Sequence, residues 1–139
     1  MLYFSSSSEY CPNTTLTLQT DEVVTMNSPF YPSFYPDNAD CFWSITSEQP
    51  RGYITLSFLA FGLHPLEDFL TVGVGSSVDK IGAESTVIFR LSGSAAPRIV
   101  TVNASEGLWL RLTTNWNGQI TNGFSLELQW SEKYGKLFF

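Results

Sequence analysis

The sequence predicts an all-β fold, a sandwich or barrel of short strands. Three observations predict it. Apolar and polar residues alternate in several short runs, as in Tyr53-Ile54-Thr55-Leu56-Ser57-Phe58, where one face of a strand is buried and the other meets solvent. Turn signals rich in Gly, Pro, Asn and Ser separate these runs at near-regular spacing. The composition is poor in charge (14%) and rich in aromatics (15%), with the Thr, Val, Phe and Tyr that fit a half-buried pleated surface. No helix longer than a turn and no internal repeat is expected.

In chain order, residues 1–10 are serine-rich and read as a flexible lead-in. Residues 14–20 alternate as a first strand, Asp21-Glu22 turns, and Val23 to Met26 is a second strand. Pro29, Pro32 and Pro36 then exclude a helix, because each fixes its φ, lacks an N–H and pushes the preceding residue towards extended geometry. Strands follow over Phe42 to Ser47 and Tyr53 to Phe58, a loop over Phe61 to Glu67, and a strand over Phe69 to Val74. A polar connection, Ser76 to Ser85, leads to strands at Val87 to Leu91, Arg98 to Val102, Gly107 to Thr114 and Phe124 to Trp130. In the last two, Leu108, Leu110 and Leu112, then Phe124, Leu126, Leu128 and Trp130, form inward rows. Trp109 and Arg111 fall on the outward face.

The 139 residues suit one domain. A net charge of −6 without a basic patch excludes nucleic acid and anionic membrane surfaces as partners. It suits calcium, a basic partner or simple solubility. No apolar run approaches the roughly 18 residues of a spanning helix. Met1 to Phe4 is too short for a signal core, so secretion is expected to depend on a leader outside this chain. Two cysteines, Cys11 and Cys41, are compatible with one disulfide. It would close a loop of about 30 residues and contribute roughly 3–4 kcal/mol. Asn13-Thr14-Thr15 and Asn103-Ala104-Ser105 are sequons, candidates for glycosylation in an extracellular setting.

Ser28 to Ile45 reads S-P-F-Y-P-S-F-Y-P-D-N-A-D-C-F-W-S-I. It resembles the S-P-x-Y-P-x-x-Y-P-x-N-x-x-C-x-W-x-I signature of CUB domains, extracellular modules of complement proteases, developmental metalloproteases and many receptors. The residues from Gly52 to Phe58, Asp68-Phe69-Leu70-Thr71-Val72 and Gly123-Phe124-Ser125-Leu126 resemble further blocks of that family. The likeness covers roughly Cys11 to Trp130. It implies a jelly-roll-like sandwich of two antiparallel sheets over 11–131, with 132–139 as a tail or the start of a linker. Cys11 and Cys41 match the family's first disulfide. Its second is missing, and the glycines usual after the first cysteine are replaced by Pro12-Asn13-Thr14.

Many CUB domains hold calcium with a Tyr, a Glu and two Asp. By resemblance, Tyr35 and Asp68 keep two of these positions, His64 or a shortened loop replaces the glutamate, and Asn115 replaces the second aspartate. Calcium takes six to eight oxygens, and His64 offers nitrogen. Glu67 adjoins Asp68 and would point to the other face of an extended chain. The expectation is therefore no cofactor, with calcium the one ion the resemblance raises and Asp68 instead capping its loop through backbone donors and Tyr35. A single histidine with paired cysteines excludes an ordinary zinc site and a nucleophilic triad, and no enzyme is expected.

The expected function is non-catalytic recognition of another extracellular protein, a receptor or matrix component. The alternative is a carbohydrate-binding or coat module using exposed aromatics. Candidate contact residues are Tyr35, His64, Asp68 and Asn115, where the family contacts ligands, together with the outward Trp109 and Arg111 and the loop residue Trp116.

Overall fold

A computed structural model describes residues 11, 13–77, 79–116 and 121–133. The expected lead-in (1–10) and most of the expected tail (134–139) lie outside the described residues. The strands are β1 (Thr14–Leu18), β2 (Val23–Asn27), β3 (Asp40–Ser47), β4 (Tyr53–Gly62), β5 (Phe69–Val74), β6 (Val87–Leu91), β7 (Ile99–Asn103), β8 (Leu108–Thr113) and β9 (Gly123–Ser131), with one 3-10 turn at Glu84–Thr86. They form two sheets, β1-β3-β8-β5-β6 and β2-β9-β4-β7. Every pairing is antiparallel except β1 with β3, which run parallel.

The alternating rows meet between the sheets. Trp43, Ile45, Leu70, Val72, Leu110 and Leu112 of one sheet and Ile54, Leu56, Phe124, Leu126 and Leu128 of the other are buried in one core. Trp43 and Phe124 touch edge to face across it, with ring centroids 5.9 Å apart. Each fully buried Leu or Ile contributes roughly 1.5–3 kcal/mol relative to exposure. The Cys11–Cys41 disulfide, with Cα atoms 5.2 Å apart, ties the chain just before β1 to the buried end of β3.

Strand β4 differs from its sequence reading, which ends the strand at Phe58 and starts a loop at Phe61. A bulge between Phe58 and Ala60 leaves Leu59 57% exposed, and pairing with β9 resumes through Phe61 and Gly62. The extra residue shifts the alternation by one, so a strict period of two loses the strand at that point. β1 is shorter than read, ending at Leu18 before a turn in which Glu22 N–H donates to Gln19 O at 3.2 Å.

Candidate functional site

At one end of the sandwich the proline loop, the β4–β5 loop and the β8–β9 loop converge. The proline loop is pinned at both ends. Ser28 N–H donates to Phe124 O (3.0 Å), and Phe124 N–H donates to Ser28 Oγ (2.9 Å). Gly123, at φ +87°, makes that approach feasible: a Cβ there would lie 2.0 Å from Ser28 Oγ and 3.2 Å from Tyr35 Cδ2. At the far end Ala39 N–H donates to Thr114 Oγ1 (2.7 Å), and that hydroxyl donates to Pro36 O (2.9 Å). Tyr35 is thereby held 2% exposed beneath the loops.

The Tyr35 hydroxyl donates to Asp68 Oδ2 at 2.7 Å and accepts from His64 N–H (2.9 Å) and Thr121 Oγ1 (3.3 Å). Burial first, and then donation to Asp68, push the phenol pKa up to about 12. Asp68 is fully buried, and its Oδ1 accepts Asn115 N–H at 2.9 Å. One side chain thus joins all three loops, its two oxygens each accepting a hydrogen bond from a different loop. Asn115 Nδ2 donates to Glu67 Oε1, a second tie between the β4–β5 and β8–β9 loops. Asn38 N–H donates to Asn115 O at 2.9 Å.

The β4–β5 loop folds into a tight turn in which His64 O accepts Glu67 N–H (3.3 Å) and Asp68 N–H (3.1 Å). The Ser92 hydroxyl braces it, accepting Leu66 N–H at 2.7 Å and donating to Asp68 O at 2.8 Å. Leu66 sits at φ +61° with its side chain 85% exposed. That left-handed conformation costs a non-glycine residue about 1–2 kcal/mol. On the facing loop Trp116, next to Asn115, is 76% exposed.

The sequence profile described as CUB domain matches residues 11–128. The chain belongs to the CUB domain family. Pig cubilin is 34% identical over 100 residues, 69% of this chain, and rat cubilin 31% over 119 residues, 83% of this chain. The domain spans about 3% of the length of either relative. Among solved structures, the CUB1-EGF-CUB2 region of human MASP-1/3 superposes with a TM-score of 0.65 at 20% identity, covering 83% of this chain and 41% of that one. The MASP-1 CUB2 domain bound to Ca2+ gives 0.62 at 22% identity, covering 81% and 96%. These likenesses fix the fold.

In this CUB domain the predicted cluster of Tyr35, His64, Asp68 and Asn115 does come together, although His64 enters the network through its backbone N–H and carbonyl. Trp109 requires a correction. It lies on the outer face of its sheet, as the alternation requires, yet is only 1% exposed. The β5–β6 connection covers it: Trp109 Nε1–H donates to Thr86 Oγ1 at 3.1 Å, and the indole stacks on Phe42 at 5.7 Å. It also lies flat on Gly73, where a Cβ would approach Trp109 Cε2 to 2.2 Å. It offers no contact surface.

Arg111 is half-exposed but engaged, its guanidinium donating twice to Asp40 at 2.8 and 2.7 Å. These hydrogen bonds hold the Asp40 carboxyl below the usual range. Asn13 and Asn103 are exposed. Sequence reasoning missed Ser92, Thr114 and Thr121, since nothing separates bracing hydroxyls from other Ser and Thr before the loops are placed. It also missed Leu66, where Pro65-Leu66-Glu67 offered one signal, a leucine outside any alternating run.

Proposed function

We propose that this CUB domain is a non-catalytic recognition module of an extracellular protein and that its partner, another extracellular protein of the receptor or matrix kind, binds at the three-loop end. The observation that carries the reading is the pair Leu66 and Trp116, 85% and 76% exposed. They stand on two loops that Asp68 and the Glu67–Asn115 contact hold together. A leucine kept in left-handed backbone and turned to solvent, with an exposed tryptophan on the loop tied to its own, is a preorganised apolar contact. Trp is among the residues that dominate interface energetics, and bracing reduces the ordering cost of binding.

In this reading the loop end is organised by hydrogen bonds and works without calcium. The residues present fit the ion poorly. Both Asp68 oxygens already accept protein donors, one from Tyr35 and one from the Asn115 amide. Glu67 Oε1 accepts from the Asn115 side chain, and the remaining family positions supply neutral groups. A calcium ion needs six to eight oxygens in that space, whereas Asp68 Oδ1 faces an N–H.

A second reading, a carbohydrate ligand stacked on aromatics, draws on Phe30, Phe34 and Trp116, which are 58%, 53% and 76% exposed. The test is a cell-surface protein screen beside a glycan array, both in chelator. Protein binding that falls at least tenfold in Trp116→Ala and Leu66→Ala supports the first reading. Binding to glycans alone, or protein binding indifferent to both substitutions, refutes it.

A further inference from the structure

Among the described strands β7 is an edge, paired only with β4. Its sequence, Ile99-Val100-Thr101-Val102-Asn103, contains no charge and no proline, and its register runs without a bulge. These are the devices that ordinarily blunt a free edge. The strand ends in the sequon Asn103-Ala104-Ser105. A turn fixes the backbone there: Glu106 N–H donates to Asn103 O at 3.1 Å and Ala104 N–H to Gly52 O at 2.9 Å. Ala104 is buried, whereas Asn103 and Ser105 are exposed. Directly across the strand pair from Asn103 stands Tyr53, so the two side chains project from the same face as near neighbours. Tyr53, Val74, Thr101, Val102, Asn103 and Glu106 line an open groove of about 390 Å³, within the usual range for a small-molecule site.

We propose that Asn103 carries an N-linked glycan whose first N-acetylglucosamine lies in this groove against the Tyr53 ring, covering the free edge of β7. The inference rests on the extracellular placement proposed above. The donor is a lipid diphosphate-linked oligosaccharide of the secretory pathway. A bond forms between Asn103 Nδ2 and the anomeric carbon, the bond from that carbon to the diphosphate oxygen breaks, lipid diphosphate leaves, and the amide nitrogen loses one proton to solvent. No redox change occurs. A pyranose presents an apolar C–H face, and Tyr53 presents a flat apolar ring with a polar tip. Thr101 and Glu106 supply polar groups at the margin of the groove.

The test uses the whole chain secreted from mammalian cells behind a leader, with Asn13→Gln removing the other sequon. Peptide mass analysis reads occupancy at Asn103. An endoglycosidase that leaves a single N-acetylglucosamine then gives a one-sugar form, whose melting temperature is compared with that of Asn103→Gln, each with Tyr53 and with Tyr53→Ala. The expected result is an occupied site, a one-sugar form that melts several degrees higher, and loss of that increment in Tyr53→Ala. Upfield ring-current shifts of the sugar protons in the Tyr53 glycoform are also expected and need no destabilising variant. Secretion with Asn103 unmodified, an increment equal in both backgrounds, or sugar protons at solvent positions would overturn the proposal. None of these would affect the reading of the three-loop end.

Discussion

Two tryptophans on the outside of this sandwich have opposite fates. Trp109, on the outer face of the β3-β8-β5 sheet, is 1% exposed, stacked on Phe42, laid on Gly73 and hydrogen-bonded to Thr86. Trp116, on the β8–β9 loop, is 76% exposed beside the Asn115–Asp68 tie. At the first, a connecting loop has closed over an aromatic and turned the sheet's outer face into a second, small core. At the second, polar ties hold the backbone while leaving the aromatic out. The contrast separates a residue that is packed into the fold from one left in solvent, where we propose partner contact, and each half can be broken on its own.

The largest effect is expected at Trp109. Trp109→Ala should destabilise the domain by about 3–5 kcal/mol, measured by urea unfolding. A change below about 1 kcal/mol would mean that the β5–β6 connection does not seal the indole.

Next comes Asp68→Ala, which strands the Tyr35 hydroxyl and the Asn115 amide without their acceptor. Each buried group left unsatisfied costs about 1–3 kcal/mol. The same melts should show this loss, together with faster hydrogen exchange of the Asn115 amide.

A third prediction concerns pH. Burial raises the Tyr35 pKa to about 12 in the folded protein, against about 10 in an unfolded chain. The neutral phenol is thus favoured by folding. Its contribution is fully present below about pH 10 and is lost as pH rises through 12. Tyr35→Phe should flatten that part of the stability profile, whatever its effect at neutral pH.

The smallest effect on stability belongs to Trp116→Ala, within about 0.5 kcal/mol as for a surface residue, although partner binding should fall tenfold or more.

These contrasts also mark how much the sequence could disclose. Alternation placed the inward rows of β8 and β9 correctly, because a period of two is a property of the strand itself. It placed Trp109 on the outer face, also correctly, but exposure depends on the β5–β6 connection, whose path no local pattern encodes. The bulge at Leu59 hid the end of β4 for the opposite reason, since one extra residue breaks the period locally while pairing continues. At the three-loop end the proline-aromatic signature pointed to Tyr35, and the family block starting at Asp68 pointed to that residue, before any coordinate. Ser92, Thr114 and Thr121 became visible only once loops 24 to 86 residues apart in sequence were brought together.

We propose that Asp68 organises the three-loop end by hydrogen bonds and not through a metal ion. The decisive measurement is calorimetric titration of chelator-stripped protein with calcium, with Asp68→Ala as the control. A flat titration is expected, with the same partner affinity with and without chelator. Saturable calcium binding that Asp68→Ala abolishes would contradict the proposal, because the carboxylate would then be exchanging Tyr35 and Asn115 for the ion.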